Sequence, residues 1–293
     1  MMLLIEKLKD QSLTEQEKRI AQYMIKQEER LKDMSVRDIA HELYVAPSSI
    51  MRFSQKLGYS GFIAFKEAYL HEISYRQAHF HDIDANKPIE PTDRNMTIAA
   101  KMSALYKETI DDTFGLLQHD TLQTCINKLV KAQHIYICAL GIQMQPALNF
   151  KDKMLRIGKE VTVFSTKEEL YYTSMCAPLD SCFIFISYTG ESKRPLQVLD
   201  YLIEKDIPNF GITTFGENSL SQKTTCLNVS TREKLTSSLG SFGFNLSVMY
   251  LLDVLYGAIF NSDYDKNYAY KCQKTKAFEK GEGRKTNNKL IQD

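Results

Sequence analysis

Residues 34–62, MSVRDIAHELYVAPSSIMRFSQKLGYSGF, decide the fold at the N-terminal end of this 293-residue chain. Apolar residues recur there at spacings of three and four, in two groups: Ile39, Ala40 and Leu43, then Ile50, Phe53 and Leu57. Pro47 suits the first position of the second helix, and Gly58 suits the position just beyond its end. The stretch therefore predicts a helix-turn-helix over residues 35–57, two short helices that share one core.

The second helix has a polar and basic face opposite its core. No acidic residue lies between Glu42 and Glu67, so we expect this face to bring no carboxylate towards DNA phosphates. In helix-turn-helix proteins this helix enters the major groove with its N-terminal residues at the base edges. The prediction is base contacts from Ser48, Ser49, Arg52 and Gln55, and phosphate contacts from Lys56, Tyr59, Ser60 and Lys66. The alternative is a small helical dimerisation domain whose polar face is merely solvated.

The composition, 43% hydrophobic and 25% charged, is that of a folded protein long enough for two domains. Glu6 and Lys7 break the first apolar run, and we recognise no apolar stretch long enough to span a membrane, so we expect a cytoplasmic protein with no membrane partner. The six cysteines show no C-x-x-C pair and no histidine at zinc-finger spacing. We expect buried, reduced thiols, no metal and no cofactor.

Patterning along the chain predicts four segments. Residues 1–77 are all-helical, residues 78–97 form a polar linker with Pro88 and Pro91, and residues 266–293 form a basic tail with a disordered end. Between them, residues 98–265 begin with a helix at about 98–117 and end with an apolar helix at about 237–260. Five short β-rich runs alternate with helices there, at residues 134–140, 161–165, 182–187, 209–214 and 227–230. This alternation predicts an α/β domain, a five-stranded parallel sheet flanked by helices.

The run CFIFISYTGES, residues 182–192, predicts a buried strand that leads into a turn rich in hydroxyl groups and then a helix. Such a turn places hydroxyls and backbone N–H groups at a helix N-terminus, where the helix dipole favours an anion. The turn lacks the lysine of a G-x-x-x-x-G-K-[ST] loop, so we do not expect a nucleoside triphosphatase. The alternative is an ordinary capped helix.

The N-terminal motif resembles the RpiR family of bacterial transcription regulators, which reads A-x-x-x-x-V-S-x-x-T/S-V/I-x-R-F/L-x-x-K-L-G-F/Y-x-G-F. The matching residues are Ala40, Val45, Ser49, Ile50, Arg52, Phe53, Lys56, Leu57, Gly58, Tyr59, Gly61 and Phe62. The family's usual serine at the helix cap is Ala46 here. Losing that hydroxyl should cost on the order of 1 kcal/mol of helix stability without changing the recognition face.

The S-x-T-G-x-S pattern at residues 187–192 resembles the signature loop of SIS (sugar isomerase) domains, phosphosugar-binding modules attached to RpiR-type helix-turn-helices. The resemblance covers about residues 105–265 and implies effector contacts from Gly141, Gln143, Gln145, Ser187, Tyr188, Thr189, Gly190, Ser192, Lys193 and Ser237. The first loop of such domains usually reads G-x-G-x-S, whereas Gln143 and Gln145 replace its second glycine and its serine here. Anion contacts from this loop would therefore have to come from amide groups.

Together the resemblances imply a DNA-binding transcription regulator of sugar metabolism, not an enzyme, that is controlled by a phosphorylated sugar. Its implied partners are double-stranded operator DNA and a second copy of itself, as a homodimer or tetramer, because helix-turn-helix proteins usually bind paired half-sites. One alternative is a sugar-phosphate isomerase with an accessory helical domain, for which Glu191 or Glu233 would have to be the base. Another is a regulator with a repurposed effector pocket. The adjacent Asp111 and Asp112 do not face each other on a helix, so we expect a solvated surface there.

Overall fold

A computed structural model describes residues 4–8, 13–79, 83–164, 166–230, 232–278 and 290. The chain divides into two compact units, residues 1–82 and residues 83–293. The first unit is helical and the second is α/β, as the sequence predicts.

The helical unit contains five α-helices and one 3₁₀ turn in its described residues. The helices are α1 (Leu4–Leu8), α2 (Glu15–Gln27), α3 (Val36–Leu43), α4 (Pro47–Lys56) and α5 (Phe62–His79), with the 3₁₀ turn at Glu28–Asp33. One core joins all five helices, and its residues from α3 and α4 are those that the spacing predicts.

The predicted helix-turn-helix is confirmed as α3 and α4. Ser35 and Asp38 form a capping box at the start of α3, where each side chain accepts a hydrogen bond from the other's backbone N–H. The helix ends at Tyr44, whose backbone is left-handed with a φ of 54°. At Ala46 no side chain caps α4, and Pro47 opens the helix. Pro47 fixes the backbone of that first turn and has no N–H to satisfy.

The α/β unit is built on a fully parallel five-stranded sheet of order β2-β1-β3-β4-β5. Its strands are β1 (His134–Ala139), β2 (Val161–Val163), β3 (Ser181–Ser187), β4 (Asn209–Thr214) and β5 (Cys226–Val229). The flanking helices are α6 (Asn95–Gly115), α7 (His119–Lys131), α8 (Met144–Leu155), α9 (Lys167–Met175), α10 (Lys193–Glu204), α11 (Ser219–Lys223), α12 (Phe242–Asn261) and α13 (Tyr264–Phe278). The predicted fold is confirmed, although Ser165, at the end of the second predicted strand, lies outside the described residues.

Helix α12 corrects two expectations. It begins at Phe242, later than predicted, because residues 232–240 form a loop before it. It is also long and apolar enough to cross a membrane by length and composition alone, with a mean hydropathy of 1.5 over 18 residues. Its inner face, including Phe244, Val248, Leu251 and Leu255, packs into the core cluster that also holds residues of the sheet. A buried helix of a folded domain has the same composition as a membrane span.

The segments predicted as linker and tail are partly ordered structure. Residues 83–94 lie on the α/β unit, where Asn86 hydrogen-bonds residues 232–240, whereas residues 80–82 lie outside the described residues. Helix α13 occupies the start of the predicted tail, and the predicted disorder of its end concerns mostly residues outside the described part. The solvated surface predicted for Asp112 is wrong, because its side chain is 1% exposed beside Arg232.

The six thiols are free, as predicted, but they are not all buried. Cys125, Cys138 and Cys182 are buried, whereas Cys176 is exposed. Burial raises the pKa of the Cys138 thiol to about 12, so this side chain is uncharged at neutral pH.

Candidate DNA-binding and effector sites

The predicted base-contacting residues share one side of α4. Ser48, Arg52 and Gln55 are exposed and Ser49 is half-buried, while Ile50 and Phe53 fill the core behind them. The Arg52 guanidinium lies over the preceding turn, with Nε 3.4 Å from the Ser48 carbonyl oxygen and Nη2 3.5 Å from Ser48 Oγ. These contacts are long, so Arg52 can be redirected to a base edge at little cost.

The predicted phosphate-contacting lysines are engaged within the unit. Lys56 Nζ pairs with Glu17 of α2 at 2.8 Å, so a carboxylate from outside the acid-free stretch lies beside a predicted phosphate contact. Hydrogen bonds from Lys56 and Thr14 lower the pKa of Glu17, which is therefore ionised at neutral pH. Lys66 Nζ donates to the carbonyl oxygens of Lys32 and Met34, at 3.0 and 3.2 Å.

The two remaining predicted phosphate contacts differ in exposure. Ser60 is exposed. The ring of Tyr59 packs edge-on against Phe65, with centroids 5.7 Å apart, and it belongs to the margin of the helical core. Among the four residues predicted to contact phosphate, Lys56 and Ser60 are exposed, and Lys56 is also engaged in an ion pair.

A cavity of about 300 Å³ lies in the α/β unit beyond the carboxyl ends of β1 and β3. This is the edge at which open parallel sheets bind their ligands. The cavity is lined by Cys138, Leu140, Gln143, Phe185, Ile186, Ser187, Tyr188, Thr189, Gly190, Ser192, Pro195, Leu196, Leu220 and Leu235. Its polar groups are concentrated in the turn from Ser187 to Ser192, and the described lining holds no lysine, arginine or histidine.

This turn joins β3 to α10 and is held by its own hydroxyl groups. The Gly190 N–H donates to Ser187 Oγ at 3.1 Å, and the Glu191 N–H donates to Thr189 Oγ1 at 3.2 Å. Ser192 occupies the cap position of α10, but no side chain caps that helix. The first turn of α10 can therefore offer backbone N–H groups to an anion, and the helix dipole adds to the attraction.

Gly190 is required at the centre of the turn for two reasons. Its φ is 67°, and a Cβ atom there would lie 2.0 Å from Asn218 Oδ1. Asn218 is itself fixed, because its Oδ1 accepts from the N–H groups of Leu220 and Ser221 at the start of α11. The turn thus rests directly on a neighbouring helix cap.

The cavity gathers some of the predicted effector residues and leaves others outside. Ser187, Tyr188, Thr189, Gly190, Ser192 and Gln143 line it, whereas Gly141, Gln145, Lys193 and Ser237 do not. The last three of these are exposed side chains, and Leu235 lines the cavity in the region predicted for Ser237. The apolar lining from Cys138, Phe185, Leu220 and Leu235 was not predicted from the sequence. The local sequence assigns these residues to a strand, a helix or a loop and gives no sign that they line a cavity.

Neither proposed catalytic base lines the cavity. The Glu191 carboxylate accepts hydrogen bonds from the N–H and the hydroxyl of Ser219, and these bonds lower its pKa. A lowered pKa makes a carboxylate a weaker general base. Glu233 is buried and accepts from the N–H groups of Gly243 and Phe244, at 2.7 and 3.0 Å, as a cap for α12. Both carboxylates therefore have structural partners.

Comparison with known families matches both units. The family model described as a helix-turn-helix domain of the rpiR family matches residues 2–76, and the SIS domain model matches residues 128–255. The chain is 27% identical over 254 residues to YfhH of Escherichia coli K12, which is named an uncharacterised HTH-type transcriptional regulator. That alignment covers 86% of this chain and 89% of the relative.

Two solved structures share the fold. The NanR protein of Vibrio vulnificus, solved in complex with ManNAc-6P, has a TM-score of 0.57 at 16% identity and covers 94% of this chain and 97% of its own. A putative sugar-phosphate isomerase from Listeria monocytogenes has a TM-score of 0.54 at 13% identity and covers 64% of this chain and 100% of its own. The chain belongs to the RpiR family of transcription regulators, with a DNA-binding helix-turn-helix domain followed by a SIS domain.

Proposed function

We propose that this regulator controls genes of sugar metabolism in the cytoplasm, and that a phosphorylated sugar in the cavity of its SIS domain alters its affinity for operator DNA. The observation that carries the proposal is the turn from Ser187 to Ser192, which brings hydroxyl groups and the uncapped N-terminus of α10 to one wall of the cavity. A phosphate group matches these donors.

The rest of the cavity fits the sugar part of such a ligand. Gln143 supplies an amide that can donate to and accept from sugar hydroxyls. Leucine and phenylalanine side chains form the remaining wall, as is usual in small-molecule pockets. The NanR structure, which is similar in fold, is a complex with a sugar phosphate, and this supports the same ligand class here.

The repurposed-pocket alternative is less well supported, because the substitutions that motivated it change the cavity little. Gln145 does not line the cavity, and Gln143 does so as a polar group. The isomerase alternative is less well supported, since Glu191 and Glu233, the bases considered for it, do not line the cavity and are engaged elsewhere. We therefore propose a binding protein without catalytic turnover, which acts as a homodimer or tetramer on paired half-sites.

The test compares the wild type with a Ser187→Ala, Thr189→Ala double variant. Operator DNA is first selected from random sequences by rounds of binding to the wild type. Titration calorimetry with N-acetylmannosamine 6-phosphate, glucose 6-phosphate and fructose 6-phosphate then measures effector binding. Gel shifts measure operator binding with and without each sugar.

We expect one of these sugar phosphates to bind the wild type and to change its operator affinity by about 5- to 150-fold, the range of ordinary allosteric coupling. The double variant should keep its basal operator affinity and lose the response. Glu217→Gln, an exposed carboxylate on the loop after β4, is the matched surface control. An unchanged response in the double variant would place the ligand elsewhere, and turnover of any of the sugars would favour the isomerase.

A further inference from the structure

The start of the α/β unit is bound to a loop that borders the cavity. Residues 83–94 precede α6, and the loop is residues 232–240, which we call the rim loop. Asn86 makes three hydrogen bonds to it: Nδ2 donates to the Arg232 carbonyl oxygen at 3.2 Å, Oδ1 accepts from the Lys234 N–H at 2.7 Å, and its own carbonyl oxygen accepts from the Leu239 N–H at 2.8 Å. A segment predicted to be a free linker is thus held at residue 86.

The buried side chain of Arg232 holds the same segment three residues earlier, at Ile83. The Arg232 side chain is 6% exposed, and Nη2 donates to the Ile83 carbonyl oxygen at 2.7 Å. The guanidinium also pairs with Glu108 of α6 at 2.6 Å and lies 3.6 Å from Asp112. Charge-assisted hydrogen bonds among buried partners are strong and directional. Residue 83 is therefore fixed by the rim loop at the boundary between the two units.

The rim loop is in turn connected to the cavity. Leu235 lines the cavity directly. The hydroxyl of Tyr188, a residue of the Ser187–Ser192 turn, donates to the carbonyl oxygen of Glu233. The Tyr188 ring also meets Phe244 edge-on, with centroids 4.8 Å apart. A ligand that moves the turn or Leu235 thus acts on a loop that already holds residues 83–86.

We propose that the rim loop is the switch that transmits effector binding: occupancy of the cavity changes its hold on residues 83–86, the point at which the chain from the DNA-binding unit enters the α/β unit. The proposal rests on the proposed function for the identity of the ligand. The physical coupling between Tyr188 and residues 83–86 is a property of the protein alone, so it can be tested without any ligand.

The ligand-free test uses Tyr188→Phe, which removes one hydroxyl and keeps the ring. Hydrogen–deuterium exchange is followed in peptides that cover residues 83–94 and 232–240. We expect exchange in both to accelerate by about fivefold, the effect of losing one ordinary hydrogen bond. Tyr201→Phe is the matched control, because the Tyr201 hydroxyl donates to the Met175 carbonyl oxygen and not to the rim loop. It should leave exchange in both peptides unchanged. Unchanged exchange of residues 83–94 in Tyr188→Phe would overturn the proposal.

The second test uses Asn86→Ala, with Lys87→Ala as its control because Lys87 is an exposed neighbour. With N-acetylmannosamine 6-phosphate as the probe, we expect Asn86→Ala to bind the sugar within twofold of the wild type while its operator response falls at least fivefold. A full operator response in Asn86→Ala would also overturn the rim-loop switch. If the probe leaves exchange at residues 187–192 unchanged in the wild type, the proposal that this sugar phosphate binds the cavity is wrong. The Tyr188→Phe experiment, which needs no ligand, still tests the rim-loop switch.

Discussion

The proposed recognition face and the proposed effector cavity are built in opposite ways. The proposed recognition face, Ser48, Ser49, Arg52 and Gln55, uses side chains of one ten-residue helix, of which three are exposed and Ser49 is half-buried. The cavity is assembled from strands, turns and helices that are spread from residue 138 to residue 235. A surface of the first kind can lose a side chain without loss of fold, whereas a cavity of the second kind depends on the packing of the whole unit.

The two sites also differ in how they would meet an anion. Around α4 the positive charges are side chains, such as Arg52 and Lys56, and their affinity for DNA should fall steeply with salt. The described cavity lining has no basic side chain, so a phosphate there depends on hydroxyls, N–H groups and a helix dipole. Such short-range contacts in a partly enclosed site are screened less by salt.

The largest expected effect comes from substituting two glycines that share one backbone conformation. Gly190 and Gly141 have φ values of 67° and 69°, but a Cβ atom would collide with Asn218 at Gly190 and meet nothing within 4 Å at Gly141. We expect Gly141→Ala to cost about 1–2 kcal/mol, the strain of a left-handed residue. Gly190→Ala should cost about 3–5 kcal/mol, because it adds the collision. Urea unfolding measures both.

Equal losses in the two variants would mean that the turn can move away from Asn218, and that the cavity is less dependent on its packing than the contacts indicate. A Gly190→Ala protein that unfolds at a lower urea concentration but still binds DNA when folded would instead support separate sites in the two units.

The next test removes the main charge of the recognition face. Arg52→Ala should weaken binding to selected operator DNA by about 1–3 kcal/mol and relax the sequence preference at one position, because it removes the guanidinium that we propose contacts a base edge. Stability should hardly change, since Arg52 is exposed. Gel shifts measure the operator affinity, and thermal unfolding measures the stability. Lys26→Ala, an exposed charge in the last turn of α2, is the control for net charge. Equal losses of operator affinity in the two variants would contradict a specific contact by Arg52.

The contrast explains how much the sequence could predict. The helix-turn-helix was fully predictable, because Ile39, Ile50 and Phe53 at helical spacing and the Pro47 and Gly58 signals are local. The five parallel strands were predictable for the same reason, as continuous buried runs between helices. The start of α12 was placed too early, since the loop before it is held by Glu233 through contacts that no local pattern shows.

The two sites differ in predictability in the same physical way. The hydroxyl-rich turn was visible because Ser187 to Ser192 is one contiguous stretch. Leu235 and Leu220 reach the cavity only through the fold, and nothing in their neighbourhood of sequence marks them. The pairing of Lys56 with Glu17, 39 residues away, was hidden for the same reason. The ordered residues 83–94 were mistaken for a linker, because their polarity and prolines are typical of one while their partners lie near residue 232.

The smallest effect tests whether Glu17 restrains the recognition face. Glu17→Gln removes the partner of Lys56, yet the amide oxygen can still accept the Thr14 N–H at the start of α2. The loss in stability should be at most about 1 kcal/mol, because the pair lies near the surface. With Lys56 released to a phosphate, log K for operator DNA should depend on log salt with a slope steeper by about 0.9. The control is Glu15→Gln, which removes the same charge from the same helix by breaking the exposed pair with Lys18. If the two variants change the slope equally, the effect is one of net charge and Lys56 does not contact DNA. A change confined to Glu17→Gln would indicate that Lys56 contacts a phosphate and that Glu17 competes with DNA for it.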